Sequence, residues 1–563
     1  MEQPTSMGAR PWHRHYAPGV SCDFVPPRTT WTEMMSAAFD AHADRVLIEY
    51  YGQSLTYAEM RAQAARVAAA LQARGIRRGD RVALHLPNCP WHPIFFFGAI
   101  AAGAVVTHLS PLDADREIAF KLRESGARLV VSLTTPELCR HFEPLLAQGG
   151  LPDLVLCPDP VSGAGRDCPV LAGAIPVDTF WAGQEGAAYA PVAVTPEDLA
   201  LLQFTGGTTG LPKAAMLSHA NLAAAVYMYH EAMKDEGHSQ PGKPALVYAP
   251  LFHIMGLTTA LLKRTFEGGT VHLRLRYDPD AAAREIEEKR IAAFGGVPTV
   301  WIALLQVPGI ENRDLSSLDY AGSGGAPLPV EVYQRVRQLT GLKLRGGWGM
   351  TETAPAGTNV PVGMPDDKLG TIGIPLPGVD LKIVDVDDPH RRLAPGERGE
   401  MAIAGPNVTG GYWNRPDETA AAFCDGWFLT GDIGYMDADG YFYLVDRKKD
   451  MILSGGFNVY PVVIENAVHQ HPDIAEAIAI GVPDPYRGES AKVFVQLRAG
   501  ATPFSLEELQ AFLADKLGRH EIPRYLEFRT ALPHTPVGKA DRKALKAEEA
   551  ARQDLADKTG QPI

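Results

Sequence analysis

One glycine-rich loop constrains the fold of this chain more than any other stretch. Apolar residues 201–204 predict a short buried strand, which Thr205-Gly206-Gly207-Thr208-Thr209-Gly210 and then Lys213 follow. Glycines let the backbone turn tightly and come close to a ligand. Backbone N–H groups, threonine hydroxyls and a lysine are donors that suit a phosphate. We therefore predict a phosphate-binding loop at the end of a strand, although an ordinary glycine-rich hairpin stays open on this run alone.

The loop is not a Walker A loop, because Leu211 and Pro212 separate its last glycine from the lysine. The run TGGTTGLPKAAMLSH instead resembles the phosphate-binding loop of the adenylate-forming enzymes, which include acyl-CoA synthetases, amino-acid adenylation domains and luciferases. Its Thr-Gly-Gly start is most similar to the fatty acyl-CoA synthetases. Ala214 departs from the family, which usually has glycine after the lysine.

Length and composition set the class of protein. A chain of 563 residues with 46% hydrophobic residues predicts two or three globular domains. The net charge of -13 argues against a nucleic-acid partner. Six scattered cysteines without a CxxC pair predict a reducing cytoplasm, with neither disulfides nor a metal site built on cysteine. The most apolar stretch, residues 94–106, is shorter than the roughly 20 residues of a membrane span and predicts a buried helix leading into a strand.

Helices and strands alternate along most of the chain. Thr56 and Glu59 form a capping-box pattern at the start of a helix. The further predicted strands are residues 81–86, 128–131, 270–273, 292–295, 318–321 and 343–345, and the predicted helices are residues 116–124, 279–290 and 329–339. This alternation predicts an α/β fold with mostly parallel sheets layered between helices, and ligands gather beyond the carboxyl ends of such strands.

A run of five charged residues, 446–450, interrupts an apolar passage. A solvated turn explains such a run by itself. In the adenylate-forming family it is similar to the hinge, with Lys449 at the pivot. We therefore predict an N-terminal AMP-binding domain over residues 1–445, a hinge over 446–450 and a small mobile α+β domain over 451–563.

The segment Gly346-Gly347-Trp348-Gly349-Met350-Thr351-Glu352 carries the next motif. A ring among glycines can stack on a flat base, and a carboxylate is a suitable Mg²⁺ ligand, although a packed loop tryptophan explains the same run. The run resembles the family's aromatic-Gly-x-Thr-Glu motif. That resemblance implies that Trp348 and Gly349 lie near adenine, Thr351 contacts the α-phosphate and Glu352 holds magnesium.

Four further sites rest on resemblance to the same family. Ser323-Gly324-Gly325-Ala326-Pro327 is similar to the segment that borders adenine and the acyl pocket. Asp432 matches the aspartate that binds both ribose hydroxyls, and Arg447 an arginine that reaches the ribose or phosphates. Lys539, in a Pro-x-Gly-Lys run, matches the adenylation lysine between carboxylate and α-phosphate. Gly456 matches a glycine of the pantetheine tunnel.

The segment Pro250-Leu251-Phe252-His253-Ile254-Met255-Gly256 resembles the family's acid-binding segment, in which the histidine closes the site beside the carboxylate. A histidine here, where amino-acid-activating relatives use an aspartate, argues against amino-acid substrates. The predicted pocket wall is mostly apolar and consists of Met255, Val297, Thr299, Val300, Trp301 and Gly324.

Together these motifs, which span about residues 12–546, imply an ATP-dependent acid–CoA ligase. The motifs are most similar to those of medium- and long-chain fatty acid enzymes, so the expected substrate is such a fatty acid. It forms acyl-AMP and then acyl-CoA, with ATP, Mg²⁺ and coenzyme A required. A dicarboxylate- or aryl-CoA ligase and a fatty acyl-AMP ligase that loads a carrier protein are the alternatives, beside a non-catalytic nucleotide-binding protein or another NTPase. Peripheral membrane contact and a homodimer stay open.

Overall fold

The computed structural model describes residues 10–147, 152–159, 171–205, 212–324, 330–454, 457–484, 486–535 and 540–559. The chain divides into two compact units. The first unit comprises Met1–Leu381 and Ile403–Phe428, and the second comprises Lys382–Ala402 and Leu429–Ile563. The second unit therefore includes chain that precedes the charged run 446–450, and the predicted hinge there stays a prediction.

A nine-stranded sheet forms one layer of the first unit. Strands and helices are numbered in chain order, and the spatial order of this sheet is β16-β15-β14-β13-β12-β10-β11-β1-β2. Its six central strands are parallel, and antiparallel strands extend it at both edges. The strands are β1 Val46–Tyr50, β2 Gln53–Thr56, β10 Pro244–Val247, β11 Thr270–Leu273, β12 Ala293–Gly296, β13 Tyr320–Ser323, β14 Arg345–Trp348, β15 Thr358–Asn359 and β16 Ile374–Pro375.

A seven-stranded sheet forms a second layer, in the order β7-β6-β5-β3-β4-β8-β9. Six strands are parallel, and β9 pairs antiparallel with β8. The strands are β3 Arg81–Leu84, β4 Val105–His108, β5 Leu129–Leu133, β6 Asp153–Cys157, β7 Ile175–Pro176, β8 Leu199–Thr205 and β9 Lys213–Ser218. All residues of β4 and β5 are buried, as expected of parallel strands covered on both faces.

Helices cover these sheets. They are α1 Trp31–Ala41, α2 Tyr57–Ala73, α3 Trp91–Ala101, α4 Asp115–Ser125, α5 Pro136–Cys139, α6 Glu143–Ala147, α7 Val177–Phe180, α8 His219–Met233, α9 Lys263–Phe266, α10 Pro279–Glu288, α11 Pro298–Leu305, α12 Val330–Thr340 and α13 Pro416–Ala421. The capping box at Thr56 is present, with both of its hydrogen bonds. Gly98 lets α3 pack closely on α2, because a Cβ there would lie 2.4 Å from Cγ1 of Val67. A π-helix, Gly256–Leu262, precedes α9.

Two further sheets contain mostly chain of the second unit. One consists of β17 Asp380–Val384, β18 Gly399–Ala404, β19 Phe423–Cys424, β20 Trp427–Met436 and β21 Phe442–Arg447. The other consists of β22 Ile452–Ser454, β23 Phe457–Val459, β24 Ile474–Asp484, β25 Gly488–Leu497 and β26 Tyr525–Phe528, and is antiparallel except for the β25–β26 pair. The helices α14 Pro461–Val468, α15 Leu506–Leu513 and α16 Arg542–Thr559 follow the same numbering. A core that includes Ile464, Val493 and Leu509 joins α14, β25 and α15.

The predicted fold class is confirmed, with mostly parallel sheets in the large N-terminal part and a small α+β part after it. The apolar stretch 94–106 forms the buried helix α3 and the strand β4, as predicted. Two predicted strands are shifted by two residues: residues 318–321 became Tyr320–Ser323, and residues 343–345 became Arg345–Trp348. Within the described ranges, no helix is both long and apolar enough to cross a membrane.

Candidate active site

The predicted phosphate loop connects β8 and β9, and its two ends lie opposite each other. Thr205 and Lys213 are register partners in this antiparallel pair, and the Thr205 hydroxyl donates to the Lys213 carbonyl at 3.4 Å. The sheet therefore brings the first threonine and the lysine together at the base of the loop. The loop residues Gly206, Gly207, Thr208, Thr209 and Gly210 lie outside the described residues, so their role stays a prediction.

Lys213, Tyr412 and Glu352 form a cluster beside this base. The Tyr412 hydroxyl donates to Oε1 of Glu352 at 2.8 Å, and Nζ of Lys213 lies 5.3 Å from the centroid of the Tyr412 ring. Nζ also lies 3.5 Å from Oε2 of Glu418. Burial, and then the charge of Glu352, raise the pKa of Tyr412, so the phenol keeps its proton. The tyrosine thus stands between an ammonium group and a carboxylate.

Sequence reasoning missed Tyr412. It pairs with β9 through an antiparallel bridge to Ala215, and its backbone N–H donates to the Thr419 hydroxyl. The only local signal is a tyrosine after two glycines, which is typical of many loops. Its partner Glu352 lies 60 residues away along the chain, so no local pattern predicts their hydrogen bond.

Glu352 was predicted to hold magnesium, and this role stays a prediction. The side chain lies in a short 3₁₀ turn, Thr351–Thr353, and the residue is 5% exposed. Its backbone carbonyl accepts from the N–H of Thr409 at 2.7 Å, which fixes the turn. Because Mg²⁺ prefers hard oxygen ligands, a carboxylate steadied by a phenol suits this ion. The structure thus connects Glu352 to Lys213 through Tyr412, with Thr351 next to Glu352 in the same turn.

Trp348 is the last residue of β14 and is 7% exposed. Its ring is therefore less accessible than its glycine neighbours in the sequence predicted. Gly357 packs against it: a Cβ there would lie 2.6 Å from Cε3 of the indole. The next residue, Gly349, cannot carry a side chain, because a Cβ would lie 1.4 Å from the Pro355 carbonyl oxygen. The tight turn after β14 thus explains Gly349, and adenine contact by Trp348 and Gly349 stays a prediction.

The acid-binding segment follows β10, and its backbone is closely packed. The amide of Met255 donates to Nδ1 of His253 at 3.4 Å, which places the proton of the neutral ring on Nε2. Gly256 must be glycine, since a Cβ would lie 2.2 Å from the Pro250 carbonyl oxygen. Met255 lies near Gly324: a Cβ on that glycine would be 3.9 Å from its sulfur. The histidine and two predicted wall residues thus occupy one region.

The remaining wall residues lie at the ends of neighbouring strands. Val297 follows β12 and Gly324 follows β13, and the Gly324 amide donates to the Gly296 carbonyl at 3.3 Å. Thr299 is exposed and Val300 is half-buried in the first turn of α11. Gly325 and Ala326 lie outside the part of the chain that the structure describes.

Trp301 belongs to the hydrophobic core, although it was predicted as a pocket wall. The residue is 1% exposed, its ring packs edge-on against Phe294 at 5.1 Å between centroids, and its indole N–H donates to the Gly322 carbonyl at 2.8 Å. These contacts of Trp301 attach α11 to the hydrophobic core. The contribution of Trp301 to a pocket is therefore through the position of Val300 and its neighbours on the same helix.

In the second unit, the predicted ribose residues pair with each other. Asp432 and Arg447 are register partners on β20 and β21, and Nε of Arg447 lies 2.6 Å from Oδ1 of Asp432. Asp432 is buried, whereas the Arg447 side chain is 43% exposed. Burial, and then the charge of Arg447, lower the pKa of Lys449, the predicted pivot. Gly456 and Lys539 lie outside the described residues, so both assignments stay predictions.

Comparison with known proteins identifies the family. The AMP-binding enzyme family matches residues 35–413, and the AMP-binding enzyme C-terminal domain matches residues 463–539. A long-chain-fatty-acid–CoA ligase of Bacillus subtilis is 36% identical, covering 97% of this chain and 99% of that protein. A feruloyl-CoA synthase of an Amycolatopsis species is 37% identical, covering 89% of this chain and 95% of its own. ATP-bound MatB from Rhodopseudomonas palustris has a TM-score of 0.81 at 29% identity, covering 92% of this chain and 99% of its own. The chain therefore belongs to the AMP-binding enzyme family, as its adenylate-forming motifs predicted.

Proposed function

We propose that this protein is an ATP-dependent acid–CoA ligase whose substrate is a medium- or long-chain fatty acid. The observation that carries the proposal is the cluster of Lys213, Tyr412 and Glu352 at the base of the glycine-rich loop. A cation and a carboxylate held apart by a phenol suit a ligand that is itself an anion with a bound cation, such as a magnesium–nucleotide complex. The relatives named as fatty-acid–CoA and feruloyl-CoA enzymes support a carboxylic acid as the second substrate.

Two displacement steps follow. An oxygen of the acid's carboxylate attacks the α-phosphorus of ATP, a new P–O bond forms, and pyrophosphate leaves with the electrons of the broken P–O bond. The CoA thiol, having lost its proton, then attacks the acyl carbon, and AMP leaves with the oxygen that came from the acid. Lys213 offsets phosphate charge, and His253 donates toward the carboxylate from Nε2. Glu352 would hold Mg²⁺, which supplies charge neutralisation at the phosphates.

The alternatives differ either in the acid that they activate or in the products that they release. An aryl- or dicarboxylate-CoA ligase would form the same AMP and thioester with another acid, whereas a fatty acyl-AMP ligase would accumulate acyl-AMP and ignore CoA. An NTPase of another kind would release ADP, or would release AMP without requiring an acid. We further propose that Lys539 acts only in the first step and Gly456 only in the second, with Lys449 as the pivot between the two states, because these residues match the corresponding family motifs.

Product identification tests the proposal. The full chain is incubated with ATP, Mg²⁺ and one acid at a time (octanoate, dodecanoate, hexadecanoate, ferulate, malonate or phenylalanine), with and without CoA. We expect AMP, pyrophosphate and acyl-CoA in equal amounts with the fatty acids, and about tenfold or more lower rates with malonate and phenylalanine. ADP as the nucleotide product, or AMP formation independent of any acid, would contradict the proposal.

A further inference from the structure

The side chain of Gln203 connects the two halves of the candidate site. It lies on β8, two residues before Thr205, and is 5% exposed. Its Nε2 donates to the carbonyl oxygen of Phe252 at 2.9 Å, directly before His253. Its Oε1 lies 2.9 Å from Nδ1 of His108, the last residue of β4. Gln203 therefore links the strand that enters the phosphate loop to the segment that carries His253.

The hydrogen bonds fix the orientation of this amide. A backbone carbonyl can only accept, so the NH₂ group of Gln203 must face Phe252, and its oxygen must face His108. Nδ1 of His108 must then carry a proton. Burial lowers the pKa of His108 to about 4, against the raising effect of the Gln203 hydrogen bond, so the ring is neutral at physiological pH. Its single proton is therefore on Nδ1.

Two other histidines interact with His108. The ring of His92 stacks on it at 5.0 Å between centroids, and burial lowers the pKa of His92 as well. The charge of His253 also lowers the pKa of His108. Among the described residues, Nε2 of His108 has no hydrogen-bond partner. An imidazole fixed in one tautomer can hold the amide in one orientation only.

The link spans the two sheets of the first unit. β8 belongs to the seven-stranded sheet, whereas the segment from Pro250 to Gly256 follows β10 of the nine-stranded sheet. Asn88 anchors the start of this segment, since its Nδ2 donates to the Ala249 carbonyl and its Oδ1 accepts from the Leu251 amide. The hydrogen bond from Gln203 adds a second anchor, one residue before His253.

We propose that Gln203, oriented by His108, is a positioning residue that sets the distance between the acid's carboxylate and the α-phosphate. The inference rests on the proposed function, in which the phosphate loop holds ATP and His253 faces the acid. A reacting pair must be held within a fraction of an ångström, so loss of a rigid link slows the reaction of a bound acid more than it weakens ATP binding.

Two substitutions of Gln203 test the proposal. Gln203→Met keeps the length of the side chain but neither hydrogen bond, and we expect kcat/KM for dodecanoate to fall about tenfold or more while ATP binding, measured by calorimetry without acid, changes less than about twofold. Gln203→Glu keeps the shape. When its carboxyl group is protonated, it can donate to Phe252 and accept from His108, whereas the ionised form cannot donate.

The pH profile of Gln203→Glu is the readout that a merely structural role would not change. Relative to the wild type, its kcat/KM should rise about fivefold or more as pH falls from about 8 to about 6, because burial raises the pKa of a carboxyl group above its usual value near 4.3. A ratio that stays flat across this range in folded protein, or Gln203→Met with the wild-type kcat/KM, would overturn the proposal.

Substitutions of His108 provide the matched control. His108→Asn can still donate to Oε1 of Gln203 and should retain most activity, whereas His108→Phe cannot and should show the acid-specific loss of Gln203→Met. Adding His108→Phe to Gln203→Met should then cost less than about a further twofold, because both remove one link. Additive losses would overturn the link. Failure of the wild type to form AMP with any acid would instead count against the proposed function.

Discussion

Nε of Arg447 lies 2.6 Å from Oδ1 of Asp432, so the two residues predicted to bind ribose are bound to each other. The pair sits on adjacent strands, with the aspartate buried and the arginine half-exposed. The arginine therefore holds the carboxylate in one orientation. A second oxygen of this carboxylate and the guanidinium are both suited to hydroxyl groups of a sugar.

Replacing Asp432 by Ala should raise the KM for ATP about tenfold or more, since hydrogen bonds to a charged group contribute roughly 1.5–3 kcal/mol each. Asp385→Ala is the matched control, because Asp385 also pairs with an arginine, Arg391, whose side chain is 60% exposed. We expect that control to change the KM less than about twofold. Equal effects of both variants on KM would remove Asp432 from the nucleotide site.

Glu352→Gln keeps the hydrogen bond from Tyr412 but removes the negative charge. We expect the Mg²⁺ concentration for half-maximal pyrophosphate release to rise about tenfold or more, because an amide is a much weaker ligand for this ion than a carboxylate. Glu418 lies beside Lys213 but is far more exposed than Glu352. Glu418→Gln should therefore shift this Mg²⁺ concentration less than about twofold. An unchanged Mg²⁺ requirement in Glu352→Gln would refute the metal assignment.

Gly324→Val tests the acid pocket. A Cβ at Gly324 meets only ordinary contacts, with Met255 and Gly347 at 3.9 Å, so the backbone accepts a side chain there. The added methyl groups should occupy pocket space and shift the preference toward shorter acids, with the KM for ATP unchanged. Gly363→Val, at an exposed glycine where a Cβ meets nothing within 4 Å, should leave the preference as it is. Rates over a series of acids measure this, and an unshifted preference would place Gly324 outside the pocket.

Asp446 predicts a pH dependence of stability in the second unit. Burial raises the pKa of this carboxyl to about 6 from its ordinary 3.8, although Arg542 and the N–H groups of Val462 and Arg447 oppose the shift. The folded state then binds the proton more tightly than the unfolded state. Stability is therefore greatest below about pH 4 for this group, falls as pH rises to about 6, and is level above that.

The difference corresponds to roughly 3 kcal/mol of unfolding free energy between these limits. Denaturant unfolding of the wild type and of Asp446→Asn at about pH 4.5 and about pH 7 measures it. The wild type should lose stability relative to the variant as pH rises. Parallel changes in both proteins would show that Asp446 does not titrate in this range.

Apolar runs and capping residues in the sequence predicted several helices and strands of this fold. The buried helix α3 and the strand Thr270–Leu273 followed from apolar runs, and the start of α2 followed from a capping box. The position of Trp301 did not, because an apolar residue in the first turn of a helix can face a pocket or a core. The hydrogen bond from its indole N–H to Gly322 and its packing on Phe294 place it in the core.

The contacts that sequence reasoning missed are polar and distant along the chain. Tyr412 binds Glu352 across 60 residues, and Gln203 binds His108 across 95 residues. The sequence around a tyrosine in a glycine-rich loop, or around a glutamine inside an apolar strand, does not indicate which residue will be its hydrogen-bond partner. Only the order of the strands, which places β4 beside β8, brings His108 to Gln203.

Transfer of labelled oxygen tests most directly the central claim that the acid's carboxylate attacks the α-phosphorus. Dodecanoate with both carboxylate oxygens labelled as oxygen-18 is converted in the presence of ATP, Mg²⁺ and CoA, and the products are weighed by mass spectrometry. We predict one labelled oxygen in AMP, one in the thioester carbonyl and none in pyrophosphate, because AMP leaves with the oxygen that formed the P–O bond. Unlabelled AMP, or label in phosphate or pyrophosphate, would contradict an acyl-adenylate mechanism.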